Sequence, residues 1–365
     1  MNAAYRLDSA IDAALGDRIV GCVVLVNENG KQLYSRAAGF IDREAGTRMP
    51  VDAIFRYSSL TKPIVATTAL RMMDAGLLQI NDPVTTHLPW FTPKMPDGSK
   101  AKITIKHLLT HTSGLPNTLP PSIGLGMASP DLGGLEENLR RLVAVPLIFA
   151  PGTAWDYGRS IDVIGQVCAT VNDSDVEGAV AKYVTKPLAM ADAHFHVSDI
   201  GRLATAYADA TPPRRMKDPD TIIGRDGPVT FSPSRILDRN APQVGGHAMA
   251  GTANDMLKLL EVYQPGSNFL KEETRLSALS NQIEGINRAP QDDGKGFGFI
   301  GSLVTDCLTA KTPSSNGSTD WGGVYGHSWS VDPHRRITMV MCSNTALEGC
   351  LGQFPSEVRD ALFQS

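Results

Sequence analysis

The sequence predicts an α/β (α+β) fold, with a sheet assembled from both ends of the chain and a mostly helical region between them. Three observations carry this. β-like runs with hairpin punctuation stand at 19–26 and 32–39. A second strand-like group stands at 321–331 and 336–343, followed by a helical pattern over Pro355–Phe363. Between the two groups, apolar residues recur at helical spacing.

Taken in order, Ala4, Leu7, Ile11 and Leu15 share one helical face, and Gly16 can end that helix. Residues 1–18 lack the basic start and apolar core of a secretory leader, so none is expected. The first two strands are split by Asn27–Lys31, where Asn29-Gly30 signals a hairpin. Residues 64–78 are apolar almost all round, the pattern of a helix buried on every side, with Gly76 as its terminator. Further helical patterns fall at 135–144, 160–171 and 252–263. Two long irregular stretches, 112–134 and the Pro-, Gly- and Arg-rich 209–246, are expected to shape a site. At the C-terminal end the turn Asp332–Arg335 separates two strands, so the sheet is expected to be antiparallel with flanking helices. The chain has 365 residues and no internal repeat, which suits one large or two intertwined domains. The expected division is a sheet domain of 1–65 and 230–365, a helical domain of 66–229, and an active site between them.

Composition excludes several classes. A net charge of −4 and no Lys/Arg run argue against a nucleic-acid partner, which needs a basic patch to displace counterions. No apolar run approaches membrane-spanning length. Cys22, Cys168, Cys307, Cys342 and Cys350 are scattered and odd in number, without a C-x-x-C pair. Reduced thiols in a cytoplasmic protein are the expectation. Composition leaves the oligomeric state open.

The chemistry begins at Ser59-Leu60-Thr61-Lys62, at the mouth of the buried helix. A serine hydroxyl needs an adjacent base, and a lysine one turn on, roughly 5–6 Å away, can serve. The helix N-terminus favours a developing oxyanion. Chance alone yields roughly one S-x-x-K in a chain of this length, and Ser99–Lys102 is a second match. It follows the Pro96-Asp97-Gly98 turn, a surface context, so only Ser59 opens a buried helix. Tyr157, in Phe149–Tyr157 ahead of a helix near Ser160, can accept or donate a proton beside an ammonium. In Asp320–Gly326, glycines within a strand pattern mark close backbone approach. An N–H there can pair with that of Ser59 as an oxyanion hole.

Other signals are weaker. His107 and His111 have zinc-peptidase spacing, but Leu108 stands where that motif needs a glutamate, and His194 and His196 lack a third ligand. No metal and no organic cofactor is implied. Gly326–Ser330 resembles a nucleophile elbow around Ser328 but lacks its final glycine. Tyr325 and His327 either line an acyl pocket or pack, Trp155 either packs beside Tyr157 or lines the pocket, and Asp162 complements a helix dipole.

Together these motifs resemble the serine β-lactamase and penicillin-binding-protein superfamily, most closely the class C β-lactamase-like carboxylesterases called family VIII esterases. The resemblance spans Ser59–Lys62, His107–Leu115, Pro151–Tyr157, Gly245-Gly246 with Gly251–Asp255, and Trp321-Gly322-Gly323, in order. It implies a β-lactamase-like fold. It implies Ser59 as acylated nucleophile, Lys62 as its proton partner, Tyr157 as general base and acid, and the N–H groups of Ser59 and Val324 as oxyanion hole. Trp321, Gly322 and Gly323 stand where β-lactamases carry Lys-Thr-Gly, and Tyr157-Gly158-Arg159 where they carry Tyr-x-Asn. Loss of the cation and of the Asn favours a neutral small-molecule ester over a β-lactam. The expected function is hydrolysis of short-chain carboxylic esters through an acyl-enzyme. The alternatives are an acyltransferase, a β-lactamase or D-amino-acid peptidase, and a non-catalytic binding module.

Overall fold

A computed structural model describes residues 2–129, 133–224, 227–286, 288–289 and 292–363. Its centre is an eight-stranded sheet in which every neighbouring pair is antiparallel. Across it the strands run Lys295–Phe297, Ser302–Val304, Thr319–Gly323, His327–Asp332, Ile337–Ser343, Gly21–Glu28, Lys31–Asp42 and Thr47–Arg48. The two ends of the chain meet in the middle, where Val24 lies opposite Met341. The Asn29-Gly30 turn closes the first hairpin, with Glu28 opposite Lys31. At the other end Asp332 Oδ1 accepts the N–H groups of His334 and Arg335, which closes the turn there.

Each face of the sheet is covered. The terminal helices Ala3–Ala14 and Gln353–Phe363 lie on one face, burying Leu7, Ile11, Phe354, Val358 and Leu362 against Val24, Val26, Met339 and Met341. The other face presents Val23, Leu25, Trp329, Val331 and Val340 to the larger core. That core includes the helices Thr61–Asp74, Ser160–Val171 and Ala253–Glu261. Alternation along each strand is what allows two separate cores. Ten of the fourteen residues in Thr61–Asp74 are buried, so this helix is the central pillar of the site side.

Two expectations change. The run 321–331 is two strands, because the chain reverses at Gly323–Gly326, where the Gly326 N–H bonds to the Gly323 carbonyl and Gly326 has φ +116°. The stretch 209–246 contains a hairpin of Asp220–Gly224 with Gly227–Phe231, and Arg214–Arg215 pairs with Tyr207–Ala208. The edge strand Lys295–Phe297 and its neighbour Ser302–Val304 have three residues each, too few for a period to show. Among the described residues, no helix is long and apolar enough to cross a membrane.

Candidate active site

Ser59 lies in a single 3₁₀ turn, Ser58–Leu60, which joins the strand Ile54–Arg56 to the helix Thr61–Asp74. The helix therefore starts two residues later than a start at Ser59 requires, yet Lys62 is still one turn on. The turn is held from behind. Tyr57 is fully buried, its N–H bonds to the Met249 carbonyl at 2.9 Å, and its hydroxyl donates to the Thr252 carbonyl at 2.6 Å. Ser58 has φ +50°. A non-glycine residue in that region costs on the order of 1–3 kcal/mol and persists only where its surroundings enforce it.

Lys62 Nζ stands 3.3 Å from Ser59 Oγ and donates to the Gly246 carbonyl at 2.8 Å. It also lies over the Tyr157 ring, 4.5 Å from its centroid. The Trp321 indole N–H donates to the Tyr157 hydroxyl oxygen at 2.9 Å. Ser59, Lys62, Tyr157 and Trp321 thus form one connected group, drawn from sequence positions up to 262 residues apart (321 − 59).

Gly322 and Gly323 end the strand that carries Trp321. A Cβ on Gly323 would lie 2.4 Å from the Tyr57 carbonyl oxygen. Only glycine lets this strand end press against the turn that carries Ser59, with Val324 as the next residue.

The other sequence candidates divide. Trp155 stacks on Tyr157 with centroids 6.4 Å apart and meets Phe297 at 5.5 Å. Its indole N–H is buried without a hydrogen-bond partner. Tyr325 is buried against Phe231 and lines a pocket with Arg56, Met127 and His247. His327 is a correction: it is 1% exposed, its Nε2 bonds to the Arg56 carbonyl at 2.8 Å, and its ring meets Phe55 edge-on. Burial lowers it to about 4, so it packs as a neutral ring under the strand leading to Ser59 and does not line the site. Ser328 sits within the strand His327–Asp332, opposite Gly322 and Met341, with no elbow around it. Ser99 is exposed in its turn.

Sequence reasoning missed two contributors. His111, considered only as a metal ligand, grips the tyrosine loop from both sides. Its carbonyl accepts the Asp156 N–H at 3.1 Å and its Nδ1 accepts the Gly158 N–H at 3.3 Å. Its ring lies 4.7 Å from that of Tyr157. Burial, and after it the charges of Lys62 and Arg288, hold His111 well below the ordinary histidine range, so it stays neutral. Phe297, on an edge strand, closes the aromatic wall against Trp321 and His111, both at 5.5 Å. A small cavity lined by Lys62, His111, Tyr157, Phe297 and Trp321 lies inside that wall. His107 caps its own helix by accepting the Thr104 N–H. Among the described residues, no group of three His, Cys, Asp or Glu side chains is placed to hold a metal ion.

An antiparallel sheet flanked by helices, with its S-x-x-K serine at the head of a buried helix, defines the β-lactamase-like class of proteins. The Beta-lactamase family model matches residues 7–350, and the chain belongs to that family. Esterase EstB of Burkholderia gladioli is 41% identical over 99% of this chain and 95% of its own. The solved structure of EstCE1, a hydrolase with promiscuous acyltransferase activity, matches with a TM-score of 0.94 and 36% identity, covering 99% and 98% of the two chains. Simvastatin synthase LovD of Aspergillus terreus, in its LovD6 mutant form, shares the fold with a TM-score of 0.75 at 20% identity, over 98% of this chain and 93% of the other. The resemblance to class C β-lactamase-like carboxylesterases is borne out.

Proposed function

We propose that this chain, a serine carboxylesterase of the Beta-lactamase family, works through an acyl-enzyme on Ser59. The observation that carries the reading is the connected group of Ser59, Lys62, Tyr157 and Trp321. In the first step the Ser59 proton passes to the Lys62–Tyr157 pair as Oγ attacks the ester carbonyl. The oxyanion is held by the N–H groups of Ser59 and Val324. Collapse breaks the ester C–O bond, and the leaving alcohol takes its proton from Tyr157. In the second step a water molecule gives a proton to the same pair and attacks the acyl carbonyl; the acyl C–Oγ bond then breaks, the pair returns the proton to Ser59 Oγ, and the acid leaves. Trp321 steadies the Tyr157 oxygen, and Gly322, Gly323 and Trp155 border the substrate. Short-chain esters of small molecules suit the aromatic wall.

The site lies between the sheet domain, 1–65 with 230–365, and the helical domain, 66–229. Five free cysteines, three of them buried, fit a cytoplasmic setting. The related EstCE1 is a hydrolase with promiscuous acyltransferase activity. Transfer to an added alcohol is therefore the second reading.

The test is intact mass after brief fluorophosphonate exposure, with p-nitrophenyl butyrate turnover, for wild type, Ser59→Ala and Ser328→Ala. Loss of adduct and turnover in Ser59→Ala alone is the expected result. A Ser59→Ala protein that still labels and turns over overturns the reading. An ester product in the presence of methanol marks the transfer branch.

A further inference from the structure

The Gly246 peptide stands between Lys62 and a buried carboxylate. Its carbonyl accepts from Lys62 Nζ at 2.8 Å, and Asp162 Oδ1 lies against the same residue, whose N–H pulls on the carboxylate. A Cβ on Gly246 would lie 2.4 Å from Asp162 Oδ1 and 3.4 Å from Lys62 Nζ, so no side chain fits there. The neighbouring Gly245 is equally tight, since its Cβ would lie 2.5 Å from the Ile161 carbonyl oxygen. The glycine pair is pressed against the first turn of Ser160–Val171, and Asp162 meets the lysine through one peptide unit.

A helix-dipole role does not explain this carboxylate. Asp162 is 1% exposed, and its Oδ2 has no hydrogen-bond partner. The Arg159 guanidinium is 3.9 Å from Oδ2, beyond hydrogen-bond reach, and donates instead to the Leu125 carbonyl at 2.6 Å. A carboxylate in the first turn can serve the dipole while exposed, without the cost of burying a charge. Burial raises Asp162 to about 6, against the opposing pull of Arg159, Lys62 and the Gly246 N–H. The charged groups facing it are Arg159 on its own segment and Lys62 from the helix Thr61–Asp74. His247, from the glycine turn, is pushed down to about 3, chiefly by burial and then by Arg159. His111, beside Tyr157, is also held neutral.

We propose that Asp162 is a positioning residue for the Ser59–Lys62 pair, aligning the Lys62 ammonium through the Gly246 peptide and balancing its charge. This rests on the Ser59 acyl-enzyme reading. Asp162 touches no reacting atom. When it is neutral, positive charge on Lys62 loses its buried counter-charge, and the Lys62–Tyr157 pair gives up its proton at lower pH.

The test uses Asp162→Asn, which keeps an oxygen for the Gly246 N–H and loses the charge. Three quantities are read: kcat and KM for p-nitrophenyl butyrate from pH 5 to 9, the fluorophosphonate labelling rate, and Tm at pH 5 and pH 8. The expected result is a kcat and labelling rate lower by about tenfold or more, with KM changed by less than about twofold. The acidic limb should move down by about half a pH unit or more. The shifted acidic limb and the fall of kcat without KM are the readouts a structural role would not produce, and Tm reports the carboxyl's protonation. Because the folded-state carboxyl is raised, its stability contribution is full at low pH and lost as pH rises through about 6. Asp162→Asn escapes that loss, so its Tm relative to wild type should be higher at pH 8 than at pH 5. Wild-type kcat and an unmoved limb overturn the proposal. Asp162→Ser is read in the same way, and failure of both neutral variants to fold also overturns it, since the charge would then be needed for folding. If Ser59→Ala keeps its label, the underlying reading has failed. If Ser59→Ala loses its label while Asp162→Asn behaves as wild type, only the role of Asp162 has failed.

Discussion

The two faces of the sheet are built from alternating residues of the same strands and serve different ends. On the face under the terminal helices, Val24, Val26, Met339 and Met341 meet Leu7, Ile11, Phe354, Val358 and Leu362 in an apolar layer. On the other, Val23, Leu25 and Val340 belong to a core whose far side is interrupted by buried polar groups. Asp162 Oδ2, Trp155 Nε1 and His327 Nδ1 are buried there without partners. An apolar layer stabilises by removing surface from water, roughly 1.5–3 kcal/mol for each large side chain. An unpartnered buried polar group costs about 1–3 kcal/mol. The comparison teaches that the face under the terminal helices is given over to apolar packing, while the site face, though its core is larger, also carries the cost of a strained Ser58 and a buried Asp162.

This contrast can be broken by substitutions that separate activity from stability. The largest effect is expected at Ser59→Ala, with turnover falling on the order of 10³–10⁶-fold and Tm nearly unchanged. Equal loss of Tm and turnover would show that Ser59 is a structural residue. Tyr157→Phe keeps the ring against His111 and Lys62 but removes the hydroxyl, and should lower kcat about 10²–10⁴-fold. Phe354→Ala reverses the pattern. Denaturant unfolding should show a loss of about 3–5 kcal/mol, with kcat/KM of the folded protein unchanged, and a kcat/KM that falls with it would join the two faces functionally. Trp321→Phe removes one donor to the Tyr157 oxygen, worth about 1 kcal/mol, so kcat should fall only several-fold. The smallest effect belongs to the exposed Arg140–Glu136 pair. Glu136→Ala should change stability by less than about 0.5 kcal/mol and leave turnover alone.

Legibility in the sequence followed the range of the interactions. Ser160–Val171 was marked by its own period, and the first hairpin by Asn29-Gly30. The strand break at Gly323–Gly326 was hidden because Val324 and Tyr325 are good strand formers, while the reversal rests on the left-handed Gly326 and on the packing of Gly323 against Tyr57. His327 looked like a site residue because it is near Val324 in sequence and shares a sheet face with Trp321, yet the strand Ile54–Arg56 covers its ring. Phe297 gave no signal, since three residues show no period. His111 lay in the stretch that resembles the family, but its hold on the tyrosine loop depends on Gly158, 47 residues on.

By itself the sequence determined the sheet from two chain ends, the buried helix after Ser59 and the one-turn spacing of Ser59 and Lys62. Periodicity, turn chemistry and helix geometry act over a few residues and are written locally. Tertiary structure alone decided that the Trp321 indole meets the Tyr157 hydroxyl, 164 positions away, and that Lys62 reaches the Gly246 carbonyl, 184 away. It alone set Asp162 behind that carbonyl. Such contacts have no sequence period. They arise where separately formed elements pack, and close packing then leaves each side chain only one place to go.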